Sequence, residues 1–166
     1  MKFITFTIEI KVLEKMNFSA EKEATFDEKG RVVLPADYKN EMGGSIPGGQ
    51  LAVEIDPYEK CLNIYPMSEW EVRITHIRSK LNRDNKMHSR MLDMFYRNFK
   101  IIPVPESCRM NIPNYFLEKV GITKDVVFAG QADRIRLWSA DEYERYVQSF
   151  DDYESNYAQL FGNEGV

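Results

Sequence analysis

The sequence has little of what covalent or metal chemistry needs. Two of its 166 residues are cysteines and two are histidines. Cys61 and Cys108 are too few to staple a secreted scaffold and too few to hold zinc by themselves, so a reduced, cytoplasmic setting is expected. His76 and His88 stand twelve residues apart, not the four that would put two imidazoles on one helical face. There is no glycine-rich phosphate loop, no Cys-x-x-Cys pair and no nucleophile elbow. No cofactor and no enzymatic activity are therefore expected. Nor does any apolar run approach the ~20 residues that cross a bilayer, and charges at Glu9 and Lys11 interrupt any signal-peptide core. No membrane partner is expected.

What is present is an ordinary globular balance, 43% hydrophobic and 29% charged, enough for one core without disulfides. The net charge of −4 argues mildly against nucleic acid, but it averages over two opposed stretches. From His76 to Lys100 the cations Arg78, Lys80, Arg83, Lys86, Arg90, Arg97 and Lys100 face only Asp84 and Asp93. From Ser139 to Val166 the anions Asp141, Glu142, Glu144, Asp151, Asp152, Glu154 and Glu164 face Arg145 alone. Salt screens charge over about 8 Å in the cell, so a local basic surface can act beneath a negative total.

The chain is also written twice. Asp27-Glu-Lys-Gly-Arg-Val-Val-Leu-Pro35 aligns with Pro105-Glu-Ser-Cys-Arg-Met-Asn-Ile-Pro113. Leu62-Asn-Ile-Tyr65 aligns with Ile135-Arg-Leu-Trp138, and Ser68-Glu-Trp-Glu71 with Asp141-Glu-Tyr-Glu144. The offset drops from 78 at Arg31 and Arg109 to 73 at Tyr65 and Trp138, and the five extra residues of the first copy are expected at Gly43-Gly-Ser-Ile-Pro-Gly-Gly49. Each copy reads as strand, strand, short helix, strand, strand, helix. Pro35 and Pro113 suit a helical first turn, Gly43 and Gly121 suit helix ends, and Ser68 and Asp141 are expected caps with Glu71 and Glu144 completing capping boxes. One copy alone would leave strand edges open. Two copies are expected to pair into a pseudo-symmetric barrel of α+β class.

The chemistry gathers at the first repeated motif. Asp27 can accept from backbone N–H groups just downstream, and Gly30 permits a positive φ. Together they would start Arg31 from a rigid base with Lys29 beside it. The arginine fork suits a phosphate or the O6/N7 edge of guanine. By spacing alone, an Asp–Arg pair that merely closes a hairpin fits as well.

The same motif resembles the signature of the MraZ family, within the AbrB-like swapped-hairpin group. Further blocks at Leu62-Asn-Ile-Tyr-Pro-Met-Ser-Glu-Trp70 and Ile122-Thr-Lys-Asp-Val-Val-Phe-Ala-Gly-Gln131 are similar to those of the family too, so the resemblance runs from about Asn17 to about Val147. It implies two tandem AbrB-like ββαββα repeats in a swapped-hairpin, double-split β-barrel with flanking helices. It further implies a cytoplasmic, nucleoid-associated regulator, assembled as a homo-oligomeric ring of octameric or similar size. Such a ring binds double-stranded DNA at direct repeats in the promoter of the division and cell-wall gene cluster. On this basis Lys29, Arg31 and Arg109 are the expected DNA contacts, and Asp27, Gly30, Pro35 and Pro113 shape the loops. The second motif departs from the pattern with Pro105 and Cys108 where the family keeps Asp and Gly, so that copy is expected to be mainly structural.

The expected organisation is an N-terminal extension at 1–16, a first repeat at 17–75, a helical basic connector at 76–100, a second repeat at 101–150 and an acidic tail at 151–166. The extension either adds an edge strand, from the alternation of Ile4, Phe6, Ile8, Ile10 and Val12, or reflects an upstream start with Met16 as the natural first residue. The connector is the rival DNA site, although its charges suit a solvated helical face. The alternative function is an AbrB-like, antitoxin-like module that engages a protein partner through the acidic tail.

Overall fold

A computed structural model describes residues 15–162, so the alternation between Ile4 and Val12 lies outside the described residues. The elements follow the repeated order. The first half runs β1 (Glu21–Thr25), β2 (Arg31–Val33), α1 (Ala36–Glu41), β3 (Gln50–Ile55), β4 (Leu62–Pro66) and α2 (Met67–Lys80). A further helix, α3 (Lys86–Arg97), leads into the second half: β5 (Phe99–Pro103), β6 (Arg109–Asn111), α4 (Asn114–Lys119), β7 (Asp125–Gln131), β8 (Arg134–Ser139) and α5 (Ala140–Gln148). A last helix, α6 (Tyr153–Phe161), follows.

Local sequence explains most boundaries. Pro35 and Pro113 sit immediately before α1 and α4 with φ of −58° and −56°, values their rings fix in advance. Gly43 and Gly121 end those helices at φ of +97° and +70°, the left-handed turn that closes a helix on its last carbonyls. The break between α2 and α3 is set by Asn85, whose side chain accepts from the N–H groups of Met87 and His88. Two expected caps are misplaced. β4 runs directly into α2 at Met67 and β8 into α5 at Ala140, so Pro66 and Ser139 take the flanking positions and neither helix has a side-chain cap. Ser68 and Asp141 therefore lie inside the first turn. No loop separates strand from helix here, and Pro66, whose own N–H is missing, makes the transition by backbone geometry alone.

The two halves exchange strands. The six-stranded antiparallel sheet has the order β1-β7-β8-β4-β3-β5, and β2 and β6 form a separate two-stranded ribbon. Thus β1 of the first half pairs with β7 of the second, and β5 of the second with β3 of the first. The fold is α+β and swapped as expected, yet the sheet does not close into a barrel: among the described strands β1 and β5 remain its edges. The reason is that β2 and β6, after each sharp loop, find each other rather than either edge. The repeat axis passes through both pairings, since Asn63 faces its own counterpart Arg136 and Val32 faces its counterpart Met110.

The registers also relocate the extra residues of the first copy. Val53 pairs with Ile64, and Phe128 with Leu137. Val53 and Phe128 are thereby equivalent at an offset of 75, between the 78 of the ribbon and the 73 of β4 and β8. Three of the five residues sit before β3, in the expected glycine-rich segment. The other two lengthen the β3–β4 turn.

Side chains alternate between two layers. Leu51, Val53, Leu62, Ile64, Phe128, Ile135 and Leu137 point to the main core, which the ribbon covers with Val32 and Met110. Ala52 and Tyr65 point the other way, to Trp70 of α2, with Phe95 of α3 and Phe99 of β5 against it. The Trp70 ring stacks on Phe95 at 5.8 Å. The helical hairpin α2–α3 and the ribbon therefore occupy opposite faces of the sheet.

On the helical face a charged network ties the halves together. Asn63 Nδ2 donates to Asp56 Oδ1 at 2.8 Å and to Glu54 Oε1 at 3.1 Å. Asp56 also faces Arg136 at 3.4 Å and Arg134 at 3.6 Å from the other half. Arg73 Nε lies 2.8 Å from Glu54 Oε1, close enough for an ion pair, although its N–H is not directed at the oxygen and makes no hydrogen bond. Arg136 Nη2 approaches Cys61 Sγ at 3.2 Å. Burial pushes the Cys61 thiol up to about 11 despite that guanidinium, so the cysteine stays protonated and inert.

Candidate nucleic-acid interface

The loop between β1 and β2 is built around one carboxylate. Asp27 Oδ1 accepts from the N–H groups of Lys29 and Arg31, both at 2.9 Å, and Oδ2 accepts from Arg31 Nε at 2.9 Å. Asp27 N donates in turn to the Arg31 carbonyl at 2.8 Å. Gly30 has φ +77°, and a Cβ there would approach Asn114 Oδ1 at an acceptable 3.5 Å, so backbone conformation rather than space selects glycine. The N–H of Arg31 holds the Asp27 carboxyl below its ordinary value; desolvation opposes it, and the Arg31 side chain and the Lys29 N–H add to the lowering. The pair both closes the hairpin and aims the guanidinium: Nε is committed, while the two Nη groups have no partner among the described residues.

The second loop keeps the turn with different residues. Cys108 occupies the place of Gly30 with φ +60°, a conformation that costs a side-chain-bearing residue about 1–2 kcal/mol. Its N–H donates to the Pro105 carbonyl at 2.8 Å, as that of Gly30 does to Asp27 at 3.2 Å. Ser107 Oγ, not a carboxylate, accepts from Arg109 N at 3.4 Å. The backbone shape is retained because the thiol is buried and the Cys108 carbonyl receives Leu34 N at 2.8 Å. Arg109 is exposed, and no ion pair or side-chain hydrogen bond restrains its guanidinium among the described residues.

The ribbon brings these two arginines onto one surface. Pairing sets Arg31 beside Asn111 and Val33 beside Arg109. Val32 and Met110 point inward and are buried, so the four alternate residues form the outer face. A strand rise of about 3.4 Å and a strand spacing of about 4.8 Å place the two arginine Cα atoms roughly 8 Å apart on the diagonal. The sequence pointed to Lys29, Arg31 and Arg109; it did not point to Val33 and Asn111. Period-two alternation from Arg31 and from Arg109 carried that signal. Val33, 48% exposed, is an unusual apolar residue to leave in water. The local field is mixed, since Glu28 and Glu118 line the same shallow cleft as Lys29.

The rival basic stretch lies elsewhere. Arg78, Lys80, Arg83, Lys86 and Arg90 belong to α2, α3 and their connection, across the sheet from the ribbon. His88, unsuited to a metal pair by spacing, accepts the Asn82 N–H through Nδ1 at 2.9 Å and fastens that connection. The described residues contain no cluster of metal-ligating side chains, and no described helix is long and apolar enough to cross a membrane.

Fold and surface together define a tandem AbrB-like chain, its halves interlocked by strand exchange and its arginines carried on an outer two-stranded ribbon. The chain belongs to the family described as "MraZ protein, putative antitoxin-like", which matches residues 17–94 and 106–160 and so takes in both halves. It is similar to the transcriptional regulator MraZ of Phocaeicola vulgatus, 30% identical over 147 residues, with 89% of this chain and 95% of the relative covered. The transcriptional regulator MraZ of Flavobacterium psychrophilum is 29% identical over 142 residues, covering 85% and 89% of the two chains. That of Clostridium tetani is 30% identical over 137 residues, covering 82% and 92%.

Proposed function

We propose that the protein is a sequence-specific DNA-binding transcriptional regulator, cytoplasmic and nucleoid-associated, whose reading element is the β2–β6 ribbon with its two loops. The observation that carries this reading is the outer face of Arg31, Val33, Arg109 and Asn111, with Arg31 preset by Asp27. A two-stranded ribbon fits a major groove about 12 Å wide. Three of these side chains have a base-edge partner of their own kind: Arg31 for guanine, Asn111 for adenine, and Val33 for the thymine methyl. Lys29 and Arg109 contact phosphate and position the ribbon, while Arg31 carries specificity.

One ribbon makes few contacts, so a ring of copies supplies affinity by presenting several ribbons to successive direct repeats on one duplex. Repeats spaced about 10 bp apart would show the same groove face to neighbouring subunits. The target is the promoter of the division and cell-wall gene cluster, the protein's own gene included. Footprinting the protein on its own upstream DNA tests this: protection should recur with that period, and uniform or absent protection would refute it. The second reading, an antitoxin-like module acting through a protein partner, is favoured by the exposed aromatic face of α6. Purification from the host with a stoichiometric second protein, and no footprint, would select it.

A further inference from the structure

Two apolar surfaces of this chain have no cover among the described residues. One is a groove of about 970 Å³ between α2, α3 and the β3–β4 turn, floored by Ile77, Met87, Met91 and Met94. Its methionines are more than half exposed, with Met87 at 62%. Its rim is cationic: Lys80, Lys86 and Arg90 line it, and none is in an ion pair among the described residues. The other surface is α6. Every residue from Asp151 to Gly162 is exposed, so among the described residues this helix packs against no core. Tyr153, Tyr157 and Phe161 nonetheless recur at helical spacing, with ring centroids 6.0 and 4.9 Å apart, and Leu160 beside them is 74% exposed. Asp151, Asp152 and Glu154 at its start form no ion pair among the described residues.

We infer that the α2–α3 groove of one copy receives the α6 helix of a second copy. The surfaces match in three respects. Each is apolar along a helical stripe, one groove is cationic where the helix start is anionic, and flexible methionines adapt to the shape of an inserted aromatic face. An isolated nine-residue helix is marginal in water, so a face this apolar is stable only when docked. The contact joins different surfaces on the two copies. It propagates from copy to copy until it closes, which is the geometry of a ring. It also leaves every ribbon free, because groove and ribbon lie on opposite faces of the sheet. This inference rests on the assembly reading above and names the surface through which assembly occurs.

The test uses the full chain with one damaged surface at a time. Met91→Asp spoils the groove and Leu160→Asp spoils the helix. Both positions are exposed, and thermal melts matching the parent establish that each variant folds. Light scattering after size exclusion should show the parent as an oligomer and each variant alone as a 19.5 kDa monomer. An equimolar mixture, well above the concentration at which the parent is fully assembled, should give a heterodimer and nothing larger, since only one intact groove and one intact helix remain. If the parent assembles but either variant keeps the parent mass, or the mixture stays monomeric, this contact is wrong and the assembly reading stands. A monomeric parent overturns both.

Discussion

Replacing Asp56 by alanine should remove the fastener between the two halves. Asp56 accepts from Asn63 Nδ2 at 2.8 Å, Tyr58 N at 3.0 Å and Glu59 N at 2.6 Å, and it faces Arg136 and Arg134. The turn amides of Tyr58 and Glu59 can reach water once freed. Arg134, with its side chain 23% exposed, can also hydrate. Arg136 cannot, since its side chain is 8% exposed and retains only Cys61 and the rings of Trp138 and Tyr146. Stranding one buried charge in this way costs about 3–5 kcal/mol, a large share of the roughly 5–15 kcal/mol that holds a domain folded. With a urea slope of about 2 kcal/mol per molar, the midpoint should fall by about 1.5–2.5 M at fixed protein concentration. Asp56→Asn keeps an acceptor and should lose less. A loss under about 1 kcal/mol, the range of exposed pairs, would refute the idea that this contact is buried and irreplaceable.

The remaining expectations are narrower. Burial opposes the Asp56 charge, but hydrogen bonds from Asn63, Glu59 and Tyr58 outweigh it and hold its folded pKa below the ordinary 3.8. Its contribution is thus fully present above the unfolded value near pH 4 and lost as pH falls through the folded one, and acid titration of Asp56→Ala should be flatter than the parent in that window. Gly30→Ala should lower the melting temperature by about 2–4 °C, from roughly 1 kcal/mol of left-handed strain; a rise would mean that the loop is not held at positive φ. Asn85→Ala should cost about 1 kcal/mol through its two lost cap bonds, with faster hydrogen exchange confined to the first turn of α3, and unchanged exchange there would contradict the capping assignment.

The tandem order was legible because each half repeats local signals: a proline before each short helix, a glycine after it, and an apolar strand pair beyond. The strand exchange was legible only through the family resemblance, since by residue pattern alone β1 would satisfy its hydrogen bonds equally well with either half. Only the three-dimensional register decides between β3 and β7. For the same reason the extra residues of the first copy were placed wholly in the glycine-rich segment, when two belong to the β3–β4 turn. The charged network was hidden because Asp56 meets Arg134 and Arg136 only after the halves interlock. At the loop, the roles of Asp27 and Gly30 followed from residue chemistry. That Cys108 would accept a positive φ did not, because its burial and the bond to Leu34 come from the fold. The C-terminal segment was read by its acids, although Tyr153, Tyr157 and Phe161 already spelled an apolar helical stripe.

The ribbon as reader of DNA is tested most directly by comparing Arg31→Ala with the double variant Lys86→Ala, Arg90→Ala for binding to the gene's own upstream DNA at physiological salt, with the assembled mass of each recorded. Arg31→Ala should retain its mass and lose about 1–3 kcal/mol per engaged subunit, at least a tenfold weakening, with discrimination between bases relaxed. The double variant, altered on the far face of the sheet, should show no such relaxation of base discrimination, whatever it does to assembly. Parent-like affinity from Arg31→Ala, with discrimination lost instead in the double variant, would place the reading surface on the helical hairpin and contradict the account.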